Sequence, residues 1–100
     1  MNQRETRRIL GEDGQVLATA EYSGENLDGV SRVYTPSGTL VQEMHYLGGQ
    51  LHGQYRSWWD NGVMKELGEF ADGKRIGEYR WFKEDGTLWQ SHEYVVSKDK

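Results

Sequence analysis

Residues 46–66, Y-L-G-G-Q-L-H-G-Q-Y-R-S-W-W-D-N-G-V-M-K-E, hold two short runs of aromatic and apolar residues bounded by turn residues. The run Q-Y-R-S-W-W favours a pleated surface over a helix, because bulky side chains there pack against neighbouring strands. The segment W-D-N-G that ends it suits a type I turn whose last residue is a left-handed Gly making a bulge. A three-residue loop of that kind sets Trp58 opposite Met64, an apolar cross-strand pair. One β-hairpin is therefore written into this stretch.

Working outward, the same pattern recurs at a spacing of 24 without a gap. Gly14, Gly38, Gly62 and Gly86 form one column, and Arg8, Arg32, Arg56 and Arg80 form another. Leu10, Tyr34, Trp58 and Phe82 align, as do Val16, Leu40, Met64 and Leu88, and Tyr22, Tyr46, Phe70 and Tyr94. Gly29, Gly53 and Gly77 complete the set. Columns of constant chemistry at one period mark a repeat protein. The turn segments E-D-G, T-P-S-G, W-D-N-G and K-E-D-G predict the pairs Leu10–Val16, Tyr34–Leu40, Trp58–Met64 and Phe82–Leu88. Between units, Gly24-Glu25, Gly48-Gly49 and Asp72-Gly73 predict a second turn that varies from unit to unit.

The expected fold is all-β: an elongated single antiparallel sheet of consecutive hairpins. One domain is predicted over residues 8–94, made of a partial capping unit (8–21) and units 22–45, 46–69 and 70–93. Residues 1–7 and 95–100, with their charged RETRR and SKDK segments, read as solvated tails.

Side chains on a strand alternate faces, and an even period keeps each column on one face. All the recurring apolar columns carry even numbers, which predicts that Tyr34, Leu40, Trp58, Met64, Phe82 and Leu88 share a cohesive face with Tyr22, Tyr46, Phe70 and Tyr94. The Arg column shares their parity, to stack on rings or pair with a carboxylate such as Glu66. Tyr55, Trp59, Tyr79, Trp81 and Trp89 carry odd numbers and, the tyrosines apart, break the columns. They are predicted to gather on the outward face of the second half, and Trp and Tyr in a surface patch are the composition of an interaction hot spot.

The units quoted above and F-A-D-G-K-R-I-G-E-Y-R-W-F-K-E-D-G-T-L-W-Q (70–90) resemble MORN-type repeats, in the longer variant found in bacterial proteins of the YwqK-type antitoxin group. The resemblance covers residues 8–94. It implies hairpins strung into one sheet and used as a protein-binding scaffold.

Composition narrows the chemistry. There is no cysteine, hence no disulfide framework or thiol nucleophile, and a cytoplasmic address is expected. Residues 9–94 hold seven Lys/Arg against fourteen Asp/Glu, a balance of −7. Such a body repels phosphate backbones and anionic lipid, so neither direct nucleic-acid nor membrane binding is expected. No phosphate loop, HExxH pair or nucleophile elbow occurs. His45 and His52 flank the Gly48-Gly49 turn, but no third ligand of suitable type shares their column, so no metal or cofactor is expected. The functional expectation is a non-catalytic inhibitor or antitoxin-like module, bacterial or phage-encoded, that docks a protein or ribonucleoprotein through the Tyr55, Trp59, Tyr79, Trp81 and Trp89 face. The alternative is a self-associating scaffold, with a homodimer formed through the open sheet edges.

Overall fold

The computed structural model describes residues 4–95. Eight strands run in chain order: β1 (Arg4–Leu10), β2 (Val16–Ser23), β3 (Asn26–Tyr34), β4 (Leu40–Leu47), β5 (Gln50–Trp58), β6 (Met64–Ala71), β7 (Lys74–Phe82) and β8 (Leu88–Tyr94). Each pairs antiparallel with its neighbours in sequence, giving one open sheet in the order β1 to β8. The described residues measure 44 × 42 × 15 Å and form a single layer, with no second sheet or helix among them over either face. Its first strand starts at Arg4, inside the segment expected to be tail.

The turn chemistry is realised as expected. In all four hairpins a three-residue loop is closed by paired backbone bonds, such as Trp59 N to Val63 O at 2.8 Å and Gly62 N to Trp59 O at 2.9 Å. Gly62 takes φ 88°, and Gly14, Gly38 and Gly86 lie in the same left-handed region. The predicted closing pairs Leu10–Val16, Tyr34–Leu40, Trp58–Met64 and Phe82–Leu88 are all present. Between units, Gly48-Gly49 and Asp72-Gly73 both show the two successive positive φ angles that a type I′ turn needs, whereas Gly24-Glu25 has only the first.

The second glycine column does different work. At β2·β3 and β4·β5 the register slips by two residues, from Ala20–Ser31 to Tyr22–Leu27 and from Met44–Tyr55 to Tyr46–Leu51. Gly29 and Gly53 lie at these slips with φ 115° and 111°. A side chain from the neighbouring strand closes over the gap: Glu21 accepts the Val30 N–H at 2.8 Å, and His45 Nδ1 lies 3.0 Å from Gln54 O. Two inter-unit turns lean on the preceding unit, through Gly49 N to Leu27 O at 2.8 Å and Gly73 N to Leu51 O at 2.9 Å.

Face assignment departs from the parity rule. The closing pair of each hairpin joins residues of equal parity, but one bulge later the pairs become odd with even: Tyr34–Leu40 is followed by Val33–Gln42, and Trp58–Met64 by Ser57–Glu66. One face therefore carries odd residues of odd strands and even residues of even strands. A row across it reads Arg7, Ala20, Ser31, Met44, Tyr55, Gly68, Tyr79 and His92. The opposite face carries the row Arg8, Thr19, Arg32, Glu43, Arg56, Leu67, Arg80 and Ser91. The column Tyr22, Tyr46, Phe70 and Tyr94 thus lies on the first, aromatic face. Tyr34, Trp58 and Phe82 lie with the arginines on the second, so the two groups do not share one cohesive surface.

Candidate functional site

The aromatic face is the core. Tyr79 is fully buried, at 0% exposure, and Met44 and Phe70 are its buried companions. Tyr79 sits 4.7 Å from Trp81, 6.4 Å from Tyr55 and 6.1 Å from both Phe70 and Tyr94, measured between ring centroids. Gly68 makes this arrangement fit, because a Cβ there would lie 2.1 Å from Tyr79 Cδ2. The Arg75 guanidinium caps the cluster 4.8 Å from the Tyr79 ring. The Tyr79 hydroxyl donates to Glu66 at 3.0 Å, and Gln42 donates to the Tyr55 hydroxyl. Burial pushes both phenols above their ordinary range, Tyr79 furthest.

Three of the five aromatics expected to face a partner are thereby accounted for by packing. Tyr79 is sealed, and Tyr55 and Trp81 are half-buried around it. Trp89 is the unpaired residue of the β8 bulge and stays exposed at the hairpin rim. The predicted patch of Tyr55, Trp59, Tyr79, Trp81 and Trp89 is not one open surface, because Tyr79 is sealed and Tyr55 and Trp81 pack around it.

The arginine face holds a ladder centred on Glu43. This carboxylate is only 7% exposed, and it accepts from Arg32 Nε at 2.8 Å and from Arg56 Nη2. The Arg32 bond leads in holding the Glu43 carboxyl below its usual range, with Arg56 adding to it. Arg56 also lies 5.5 Å from the Trp58 ring. Within the Arg column, Arg32 and Arg56 thus share Glu43 and Arg80 pairs with Glu78 at 2.8 Å, while Glu66 is engaged with Tyr79. Sequence reasoning missed Glu43, although pairing Tyr34 with Leu40 and allowing one bulge brings Arg32 opposite it. The two central histidines are engaged in backbone contacts: His45 at the bulge, and His52 Nδ1 accepting the Asp72 N–H at 3.3 Å.

What stays open is the rim formed by the hairpin loops. Trp59 donates through Nε1 to Phe82 O at 3.2 Å, and Asn61 Nδ2 donates to Glu84 O at 3.1 Å, so one loop rests on the next. Lys65 Nζ lies 4.6 Å from the Trp59 ring. Trp59, Phe82, Lys83, Glu84 and Trp89 line a shallow groove there, and Trp89 is 64% exposed. Of the predicted residues, the structure brings Trp59 and Trp89 together in this groove.

A family description, MORN repeat variant, matches residues 27–47, 51–72 and 75–95. This chain belongs to the MORN repeat variant family. The three matched segments coincide with the hairpins β3–β4, β5–β6 and β7–β8, so the family unit is one hairpin, framed a few residues later than the units read from the sequence. MORN repeats are interaction modules for proteins or membranes. No curated protein and no solved structure matches the chain.

Proposed function

We propose that this MORN-repeat chain is a non-catalytic module that docks a macromolecular partner through the groove of Trp59, Phe82 and Trp89. The observation that carries this reading is an exposed indole beside a second indole and a phenyl ring on an otherwise acidic body. Large aromatics that the core does not use, clustered at a surface, supply affinity at low entropic cost. Charge adds a preference, since a balance of −7 over residues 9–94 favours a basic partner surface. A toxin, nuclease or defence complex would present such a surface, so an antitoxin-like or inhibitory role fits, in a chain of bacterial or phage origin. The resemblance to the YwqK-type group motivates the same role. A chain without cysteine suits the cytoplasm, where such targets reside.

The test is affinity capture from host lysate with the wild type, Trp59→Ala and Trp89→Ala, all checked for an intact β-sheet spectrum. Loss of the same captured protein in both variants is expected. Folded variants that recover it undiminished would remove the groove from consideration. A second reading, a self-associating scaffold, is favoured by the exposed apolar residues of the edge strands β1 and β8.

A further inference from the structure

Among the described residues, four exposed large hydrophobic residues lie on the two edge strands: Ile9 at 64%, Leu10 at 56%, Leu88 at 53% and Trp89 at 64%. Their equivalents one period inward, Val33, Tyr34, Met64 and Lys65, are half-buried. The difference is topological. Strands β2, β4 and β6 each have a following strand on their outer side, and β8 has none. Strands β3, β5 and β7 each have a preceding strand, and β1 has none.

We propose that β8 of one copy pairs antiparallel with β1 of a second copy, head to tail, continuing the sheet across chains. The register is fixed three times over within a single molecule. Ala18 pairs with Val33, Gln42 with Ser57, and Glu66 with Trp81. Shifted by whole periods of 24, all three pairs give the same one, Gln90 with Ile9 of the second copy. That register pairs Ser91 with Arg8, as Thr19 pairs with Arg32, Glu43 with Arg56 and Leu67 with Arg80, and it brings Trp89 and Leu10 together where the paired stretch ends. Inside the chain this pairing slips at the glycine bulge, but Glu5 stands in that column on β1, and its φ is not positive. The free edge of β1 is accordingly straight, and the pairing runs on to set Glu93 opposite Thr6, with Arg4 and Arg8 as its diagonal neighbours on the same face.

Charge points the same way. Strand β1 carries three arginines against one glutamate, the basic end of a chain whose remaining body is acidic, and the only charged residue of β8 is Glu93. Pairing two copies of β1 would oppose like charges. Strand β8 has neither lysine nor proline, the usual guards of an exposed edge. Because the contact is heterologous, it extends head to tail, giving open chains whose length grows with concentration or, where the rotation per copy closes, a ring. Trp59 lies inboard of the new interface and stays available, whereas Trp89 belongs to both contacts, so Trp59→Ala is the variant that separates them.

The chain's lack of cysteine makes the test direct. Leu10→Cys, Trp89→Cys and, as a collision control in an exposed turn, Glu25→Cys are oxidised mildly, each alone and with the first two mixed. Preferential cross-linking of the Leu10→Cys and Trp89→Cys mixture, well above Glu25→Cys, is expected. Cross-linking of Trp89→Cys chiefly to itself would overturn the proposal in favour of symmetric β8 pairing, and a mixture no better than the control would overturn it outright. Light scattering checks the same point with no cysteine present. The wild-type mass is expected to rise with concentration, Glu93→Arg to stay monomeric, and Glu93→Arg mixed with Arg8→Glu,Arg4→Glu to regain association. A monomeric wild type at high concentration refutes the proposal. Trp59→Ala should leave every one of these results unchanged, so loss of partner capture and loss of self-assembly are separable.

Discussion

Replacing Gly68 by alanine sets a Cβ 2.1 Å from Tyr79 Cδ2 and 2.3 Å from Cε2, deep inside van der Waals contact. Gly68 has ordinary extended backbone, so the alanine meets no φ strain, and by restricting the unfolded chain it gains about 0.4–1 kcal/mol. Against that, the ring it strikes is the most buried in the molecule, held on several sides by Tyr55, Phe70, Trp81 and Tyr94. Overpacking of a rigid core site costs roughly 1–3 kcal/mol. The net effect is a loss of about 1–2 kcal/mol, or a Tm lower by about 4–16 °C in a domain of this size. The assay is thermal and urea unfolding followed by tryptophan fluorescence, repeated in a Tyr79→Ala background with a stabilising osmolyte. With the ring gone, Gly68→Ala should become neutral or stabilising. A rise in Tm for Gly68→Ala alone, or an equal loss in both backgrounds, would show that the ring does not lie on the glycine.

Three further outcomes are expected. Glu43→Gln should cost about 1.5–3 kcal/mol, the range for hydrogen bonds to charged groups, in urea denaturation at neutral pH. Because the folded-state pKa of Glu43 is depressed, its contribution is present above the unfolded carboxylate value and fades as pH falls through the folded one, so the Glu43→Gln deficit should shrink on acidification. Tyr79 and Tyr55, raised by burial, should not ionise with the exposed phenols, and ultraviolet titration should show them appearing only with alkaline unfolding. Gly53→Ala should destabilise by more than about 1 kcal/mol, since φ 111° disfavours any Cβ and His45 Cβ lies 3.3 Å from where it would stand; unchanged urea unfolding would refute that.

The sequence discloses strands and turns well because their signals are local. Trp58 and Met64 meet because D-N-G between them admits one loop geometry, and the same holds for Tyr34 with Leu40 and Phe82 with Leu88. Faces are harder to read, because a side chain's face depends on the count of residues through every intervening bulge. The turn at the left-handed Gly62 keeps parity through Trp58 and Met64, and the change comes one step later, at a second bulge where Lys65 has no partner. Carrying Ser57 to Glu66, and its repeat equivalents Val33 to Gln42 and Trp81 to Gln90, puts Tyr79 and Trp81 on the face of Tyr94 and brings Arg32 to Glu43. The two-residue slip at Gly29 and Gly53 has no such local signature. It rests on turns leaning across units, a contact between residues about 22 apart, such as Leu27 and Gly49. Trp59 escapes parity altogether, since it sits in a loop and its position is set by the Phe82 carbonyl.

A sheet one layer thick, whose register repeats unchanged every 24 residues, can be lengthened or shortened by whole hairpins without designing a new interior. Removing residues 48–71 would join Leu47 to Asp72 and restore the same turn, the same bulge and the same two faces. Each hairpin adds about 9–10 Å of width. The architecture behaves as a ruler graduated in two-strand steps, on which evolution or an engineer sets the span of a surface by counting units.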